Sequence, residues 1–403
     1  MSDSGKDIGL NYRMAATLVL LSAVPLLSLN MFLPSLDIMA RDFRVSYDTM
    51  AWAISGYLAS TAVFQVCAGS LADRFGRRSV LTCALCIFLS ASIGCAVSET
   101  YLAFLAFRML QGSVVSGMVL SRAIVSDLFD RKRTAGIIGY IAMAMSVAPI
   151  IGPFIGGYLG EVAGWRAIFF IYFLLALSLL ALVHFHLPET GGDVEHSESS
   201  ALSSLLELLS NPRFLGYTSI MALSTATFYI FIAGIPLVAS RQFMMTQAQI
   251  GLGLGSITVG FLIGSLLSGR LLEFCSSHAV LLSGRLAATI GLSACACALW
   301  AGLEMPMVLF GCTSLVGLGN GLTMPSASAS VMFVRKDLAA SASGLSDAVI
   351  VTAGAVVTAL TGYVVKTFPD AMALVGLMLP AATVSLAISV WMSFNGKERT
   401  ADN

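Results

Sequence analysis

Apolar stretches of about 20 residues recur from one end of the chain to the other, each closed by a short break of charged or turn-forming residues. The runs fall at 15–36, 49–70, 79–97, 101–125, 134–160, 166–187, 214–236, 249–271, 280–302, 307–330, 342–366 and 371–394. A helix rises about 1.5 Å per residue, so such a run crosses roughly 30 Å of hydrocarbon. Composition agrees: 57% of the 403 residues are hydrophobic and 11% charged, against roughly 25% charged in soluble domains. A soluble globule has no place for so much apolar side chain, whereas a bilayer has. The expectation is an all-α membrane protein with twelve transmembrane helices.

Basic residues set the orientation. With a cytoplasmic N-terminus, sixteen Lys and Arg, Arg285 among them, fall on the inner side and five on the outer. Arg108 alone is left inside a span. This bias places both termini in the cytoplasm. The longest break, 188–213, is acidic and then briefly amphipathic, and reads as a solvated linker between six-helix units at 1–187 and 214–403. A faint echo between GSLADR at 69–74 and GSLLSG at 264–269 fits two parallel repeats, with Ser268 where the first copy has Asp73. No small-residue cleavage site closes the first run, so an uncleaved first helix is expected. The 22 basic and 22 acidic residues balance, which gives no sign of nucleic-acid binding. Seven of the eight cysteines sit in apolar runs and Cys275 in a short loop, so no disulfide is expected. Nothing calls for an obligate oligomer, and a monomer is expected.

Three clusters carry chemistry. The break after the second run reads Gly69-Ser70-Leu71-Ala72-Asp73-Arg74-Phe75-Gly76-Arg77-Arg78. Gly69 allows close helix approach, and Gly76 permits a bend with positive φ. Arg74, Arg77 and Arg78 hold the loop at the cytoplasmic face. Asp73 can pair with a cation or a helix N-terminus across the halves, as a latch that breaks when the protein changes state. In the fourth run Arg108 lies near mid-membrane, where a charge costs ~2.5–3.5 kcal/mol unless it faces a wet cavity or a partner. Gln111 and Gly112 follow within one turn. In the fifth run Gly152, Gly156 and Gly160 recur every four residues beside Gly157, a smooth stripe for another helix, while Pro149 and Pro153 each remove a backbone bond.

These stretches resemble the major facilitator superfamily. The 69–78 loop is similar to its signature G-x-L-x-D-R-x-G-R-R. RMLQG at 108–112, GPFIGGYL at 152–159 and GWRAIFFI at 164–171 resemble motifs of drug:H⁺ antiporters. FLPSLDIMARDF at 32–43 and SRAIVSDLFDR at 121–131 look like the bicyclomycin/chloramphenicol (Bcr/CflA) subgroup. The likeness is dense in the N-terminal half and mainly one of pattern in the C-terminal half. It implies two pseudo-symmetric six-helix bundles that rock about a central site. It implies outward movement of amphipathic drugs across a bacterial inner membrane, driven by inward proton flow. It also implies a proton-coupling role for Arg108, and a seam-sealing role for the kinked helix with Gly152, Pro153, Gly156 and Gly157.

The subgroup usually carries an acid just before its Tyr-Leu-Pro stretch, and here that slot is Asn30. Asn binds and releases no proton at useful pH. Asp37, seven residues on and so on one helical face with Asn30, is either a carrier or a solvated acid at the outer end. Asp347 is either a carrier or a helix-start acid. Candidate cavity residues are Asn30, Tyr57, Gln65, Gln111, Tyr140, Phe228, Tyr229, Phe231 and Asn320, and the 19 methionines supply adaptable walls. GLGLGS at 251–256 follows no strand and precedes no Lys, and no phosphate-binding loop occurs, so ATP is not the energy source. The four histidines lack metal spacing and no catalytic set is present. The expectation is therefore not an enzyme, with no metal, no cofactor beyond the proton, and a small molecule and the bilayer as partners. The runner-up reading is an exporter of an endogenous metabolite or siderophore. A membrane receptor or scaffold is disfavoured, because no cytoplasmic domain exceeds the linker.

Overall fold

A computed structural model describes residues 12–128, 131–190, 208–334 and 339–397, and among them every regular element is helical. The N-terminal half holds α1 (Tyr12–Asn30), α2 (Leu36–Asp42), α3 (Tyr47–Phe75), α4 (Arg77–Val97), α5 (Tyr101–Leu110), α6 (Val115–Leu128), α7 (Arg131–Ala163) and α8 (Trp165–His186). The C-terminal half holds α9 (Pro212–Arg241), α10 (Gln247–Leu271), α11 (Ser277–Trp300), α12 (Pro306–Val334), α13 (Ala339–Thr367) and α14 (Ala371–Lys397). Eleven membrane-length apolar spans occur among the described residues, and α7 supplies a twelfth through its apolar stretch Val147–Ala163.

The breaks follow from local chemistry. Gly76 ends α3 and starts α4 at φ +88°, a conformation that a β-carbon disfavours. Thr100, Asn211 and Ser276 cap α5, α9 and α11 by accepting a hydrogen bond from a first-turn N–H. Thr246 and Gln249 form a reciprocal capping box on α10.

Two spans are not single helices. The first stops at Asn30, turns through Leu33–Ser35 and restarts as α2. The fourth tightens into a 3₁₀ turn at Gln111–Val114, between α5 and α6. The first span therefore runs on to Asp42, beyond the expected end at 36. Asp37 and Asn30 do not share one helical face, because the helix between them is interrupted.

The halves meet mainly through α3 against α13 and α7 against α10. Several bonds cross this seam at the end farthest from the chain termini. Ser35 Oγ donates to Gln247 Oε1 at 2.6 Å, Tyr47 Oη to the Ala233 carbonyl at 2.6 Å, and the Ala248 N–H to Glu161 at 3.2 Å. Lys366 pairs with Asp48 at 3.1 Å and Arg241 with Asp37 at 3.6 Å. Small residues let the backbones meet: a β-carbon on Gly157 would strike the Gln247 carbonyl.

Candidate functional site

The break in the first span creates the N-terminal site. A helix leaves its last carbonyls unpaired and its C-terminus partly negative. Asn30 folds back on the last turn, donating from Nδ2 to the Leu26 carbonyl at 2.8 Å, which an ionised Asp in that slot could not do. The Ser28 carbonyl accepts from Arg108 Nη2 at 2.8 Å and from Tyr172 Oη at 3.3 Å. Arg108 Nη1 donates to Gln111 Oε1 at 2.7 Å and to Ser28 Oγ at 3.1 Å, and Nε reaches the Ala53 carbonyl at 3.4 Å. The Phe32 and Tyr57 rings lie 4.2 and 4.1 Å from the guanidinium carbon. Gln111 passes the network on to Ser92 Oγ at 2.8 Å. A mid-membrane cation is thus held by a half-helix end, neutral acceptors and two ring faces.

Arg108 is 0% exposed and its Nε, Nη1 and Nη2 all have protein partners, so it does not line a hydrated passage as the sequence suggested. In an apolar bundle each polar group takes an internal partner first, because leaving it unpaired costs more than ordering it. Five candidate cavity residues are likewise buried. Asn30, Tyr57 and Gln111 are buried around Arg108, with Tyr57 donating to the Pro25 carbonyl at 3.1 Å. Phe231 is buried edge-on against Phe310, and Asn320 is buried inside the C-terminal half. Tyr140 is exposed, and Gln65, Phe228 and Tyr229 are half-buried, the last with its ring over Gly354.

Asp37 is a buried acid rather than a solvated one. It binds Arg41 of its own helix, faces Arg241 of the other half, and accepts from Ser240 Oγ at 3.1 Å. Asp347 is exposed on α13.

Gly152 and Gly156 face the broken first span, and Gly156 sits against the Met31 carbonyl, where no side chain fits. The Pro153 carbonyl packs against Gly251 of the other half, where a β-carbon would strike it, so this stretch of α7 touches both the break and the seam. In the signature loop Gly69 has open space around it, and Arg74 lies 5.2 Å from the Phe75 ring. Arg77 donates its N–H to the Thr190 carbonyl at 2.9 Å, and Arg78 reaches the His184 carbonyl at 2.8 Å. The side chain of Asp73 lies outside the described residues.

Two features escaped the sequence reading. Glu189, assigned there to a solvated linker, accepts from the N–H groups of Arg78 (2.8 Å) and Ser79 (3.2 Å) and caps α4. Its charge complements the helix start. Arg285, assigned to the basic inner side, is 0% exposed within α11. Its place nine residues into an apolar helix was the available signal.

The family model for the Major Facilitator Superfamily matches residues 18–359. The chain belongs to this superfamily. The chloramphenicol resistance protein of Pseudomonas aeruginosa is 28% identical over 287 residues, 70% of this chain and 68% of that protein. The bicyclomycin resistance protein homolog of Haemophilus influenzae is 27% identical, over 43% of this chain and 44% of that protein. The uncharacterized MFS-type transporter YdgK of Bacillus subtilis is 25% identical, and the match spans 65% of its length. A D-xylose–proton symporter structure superposes with a TM-score of 0.73 at 14% identity, covering 93% of this chain and 97% of that one. The chain is thus a multi-pass major facilitator transporter, not an enzyme.

Proposed function

We propose that this transporter exports drugs or other small amphipathic molecules across a bacterial inner membrane in exchange for protons, by alternating access. The observation that carries the reading is the placement of the seam. A set of cross-half bonds gathers at the end away from the termini, around Asp37, Asp48, Arg241 and Lys366. A protein closed at one end by separable ion pairs and small-residue contacts can rock open there.

With cytoplasmic termini, the bonded end is the outer one, and this conformation faces inward. The two rocking bodies are 1–187 and 214–403, joined by 188–213 and working as a monomer. Asp37 acts as an outer latch whose protonation weakens its hold on Arg241, and Asp347 is the second proton candidate. Asp73 and the Gly69–Arg78 loop serve as the inner switch. Arg108 holds the broken first span in register rather than touching cargo, and the Gly152–Gly157 stretch transmits that register to the seam. Tyr140, Gln65, Phe228 and Tyr229 are the candidates for substrate contact. The coupling ion is the proton, with no other cofactor.

The relatives named for chloramphenicol and bicyclomycin resistance support drugs as cargo. Asn30 in the usual acid slot favours one alternative, an endogenous metabolite as cargo with a different or absent proton site. Drug-induced proton release from everted vesicles, run over a panel of drugs and metabolites, tests both. Release with drugs supports the main reading, release with metabolites alone supports the alternative, and silence throughout sinks proton exchange.

A further inference from the structure

Among the described residues, Arg285 is the one buried cation of the C-terminal half, and the transport scheme above does not use it. Nε donates to Thr323 Oγ1 at 2.9 Å and Nη2 to Asn320 Oδ1 at 2.7 Å. Both acceptors are neutral, and both are fixed. Asn320 donates from Nδ2 to the Ser224 carbonyl at 2.9 Å, and Thr323 Oγ1 donates to the Gly319 carbonyl at 2.8 Å. Nη1 is buried and has no hydrogen-bond partner. Among the described residues no carboxylate pairs with this guanidinium. A β-carbon on Gly284 would collide with the Gly319 carbonyl and Thr323 Oγ1, so α11 and α12 lie in direct contact and hold the arginine between them.

A buried charge with neutral partners and one idle donor is an unfinished site. Its chemistry is specific. A guanidinium whose Nε and Nη2 are occupied presents one N–H edge, which suits a carboxylate oxygen. We propose that Arg285, oriented by Asn320 and Thr323, is an anion-binding centre that takes the carboxylate of the transported molecule. The inference rests on the export reading and narrows it to cargo with a carboxylate on an apolar body. Nη1 is sealed in this conformation, so binding couples to a rearrangement of the C-terminal half. A ligand that favours the rearranged state shifts the population toward it.

The test uses the full chain in detergent and two probes, 1-pyrenebutyrate and 1-pyrenebutanol, which share an apolar body and differ in the carboxylate. Thermal unfolding is followed against probe concentration. The wild type should be stabilised by the carboxylate at a concentration about tenfold lower than by the alcohol, the effect of one charge-assisted bond. Asn320→Asp sets a carboxylate against Arg285, neutralises its charge and should remove that preference, although it gives up the bond to the Ser224 carbonyl. Arg285→Gln should also remove it. Where Arg285→Gln fails to fold, Asn320→Asp decides, because it keeps the guanidinium in place and neutralises its charge. Equal potency of the two probes on the wild type, or an unaltered preference in Asn320→Asp, overturns the proposal. The measurement needs no proton gradient. Failed proton exchange in vesicles beside an intact carboxylate preference would therefore sink the export reading alone.

Discussion

Among the described residues each half of this transporter buries one arginine inside an apolar span, and the two are treated differently. In the N-terminal half the first span breaks at Asn30, and the exposed helix end supplies the Ser28 carbonyl to Arg108. Gln111, Ser28 Oγ and two aromatic rings complete the shell. In the C-terminal half the corresponding helix, α9, runs unbroken from Pro212 to Arg241 and offers no terminus. Its Ser224 carbonyl meets Arg285 only through Asn320, and Nη1 stays idle. The lesson is that a kink in one helix decides whether a buried charge is structural or available. Where the backbone is broken every nitrogen of the guanidinium is bonded, and where it is continuous one nitrogen is buried without a protein partner.

Substitutions can break or sharpen that contrast. The largest effect is expected at Arg108. Arg108→Met should lose ~3–5 kcal/mol, since it strands the acceptors gathered around the guanidinium, and energised efflux should fall to background. Arg285→Met removes a poorly compensated charge and should stay within ~1–2 kcal/mol of the wild type. Denaturant unfolding of both variants in one detergent checks the pair, and equal losses would erase the distinction between the halves. Next comes Gly156→Val, which drives a side chain into the Met31 carbonyl beside the break. A cost of ~1–3 kcal/mol with reduced efflux is expected, measured by the same unfolding assay and by drug accumulation in cells.

Smaller effects separate local support from the seam. Glu189→Ala should cost ~1 kcal/mol through loss of the α4 cap, visible as a lower unfolding midpoint. Asp37→Asn weakens a latch whose arginines are half-exposed, so it should tilt the balance of states by no more than ~1 kcal/mol. Spin labels at Arg44 and Met307, on opposite halves at the bonded end, should report a growing separated population. An unchanged distance distribution would remove Asp37 from the latch.

Much of the architecture was legible because the periods are strong. Apolar runs of membrane length, their short breaks and the Gly-Asp-Gly-Arg loop fix helices and connections through chemistry local to each segment. Arg108 stood out for the same reason, as a charge deep inside a run. Its surroundings did not, because Ser28, Ala53 and Tyr57 reach it from other helices. Asp37 looked like a surface acid while its partner Arg241 lies 204 residues away. Arg285 was absorbed into the basic inner side, although Asn320 and Thr323 secure it across 35 and 38 residues.

The sequence by itself determined that this chain lives in a bilayer as a stack of apolar helices, since lipid accepts only segments whose backbone bonds close within themselves. Tertiary structure alone decided which polar atoms are spent and which are free. Satisfaction of a buried charge depends on groups brought together from distant helices, and no local pattern records that meeting.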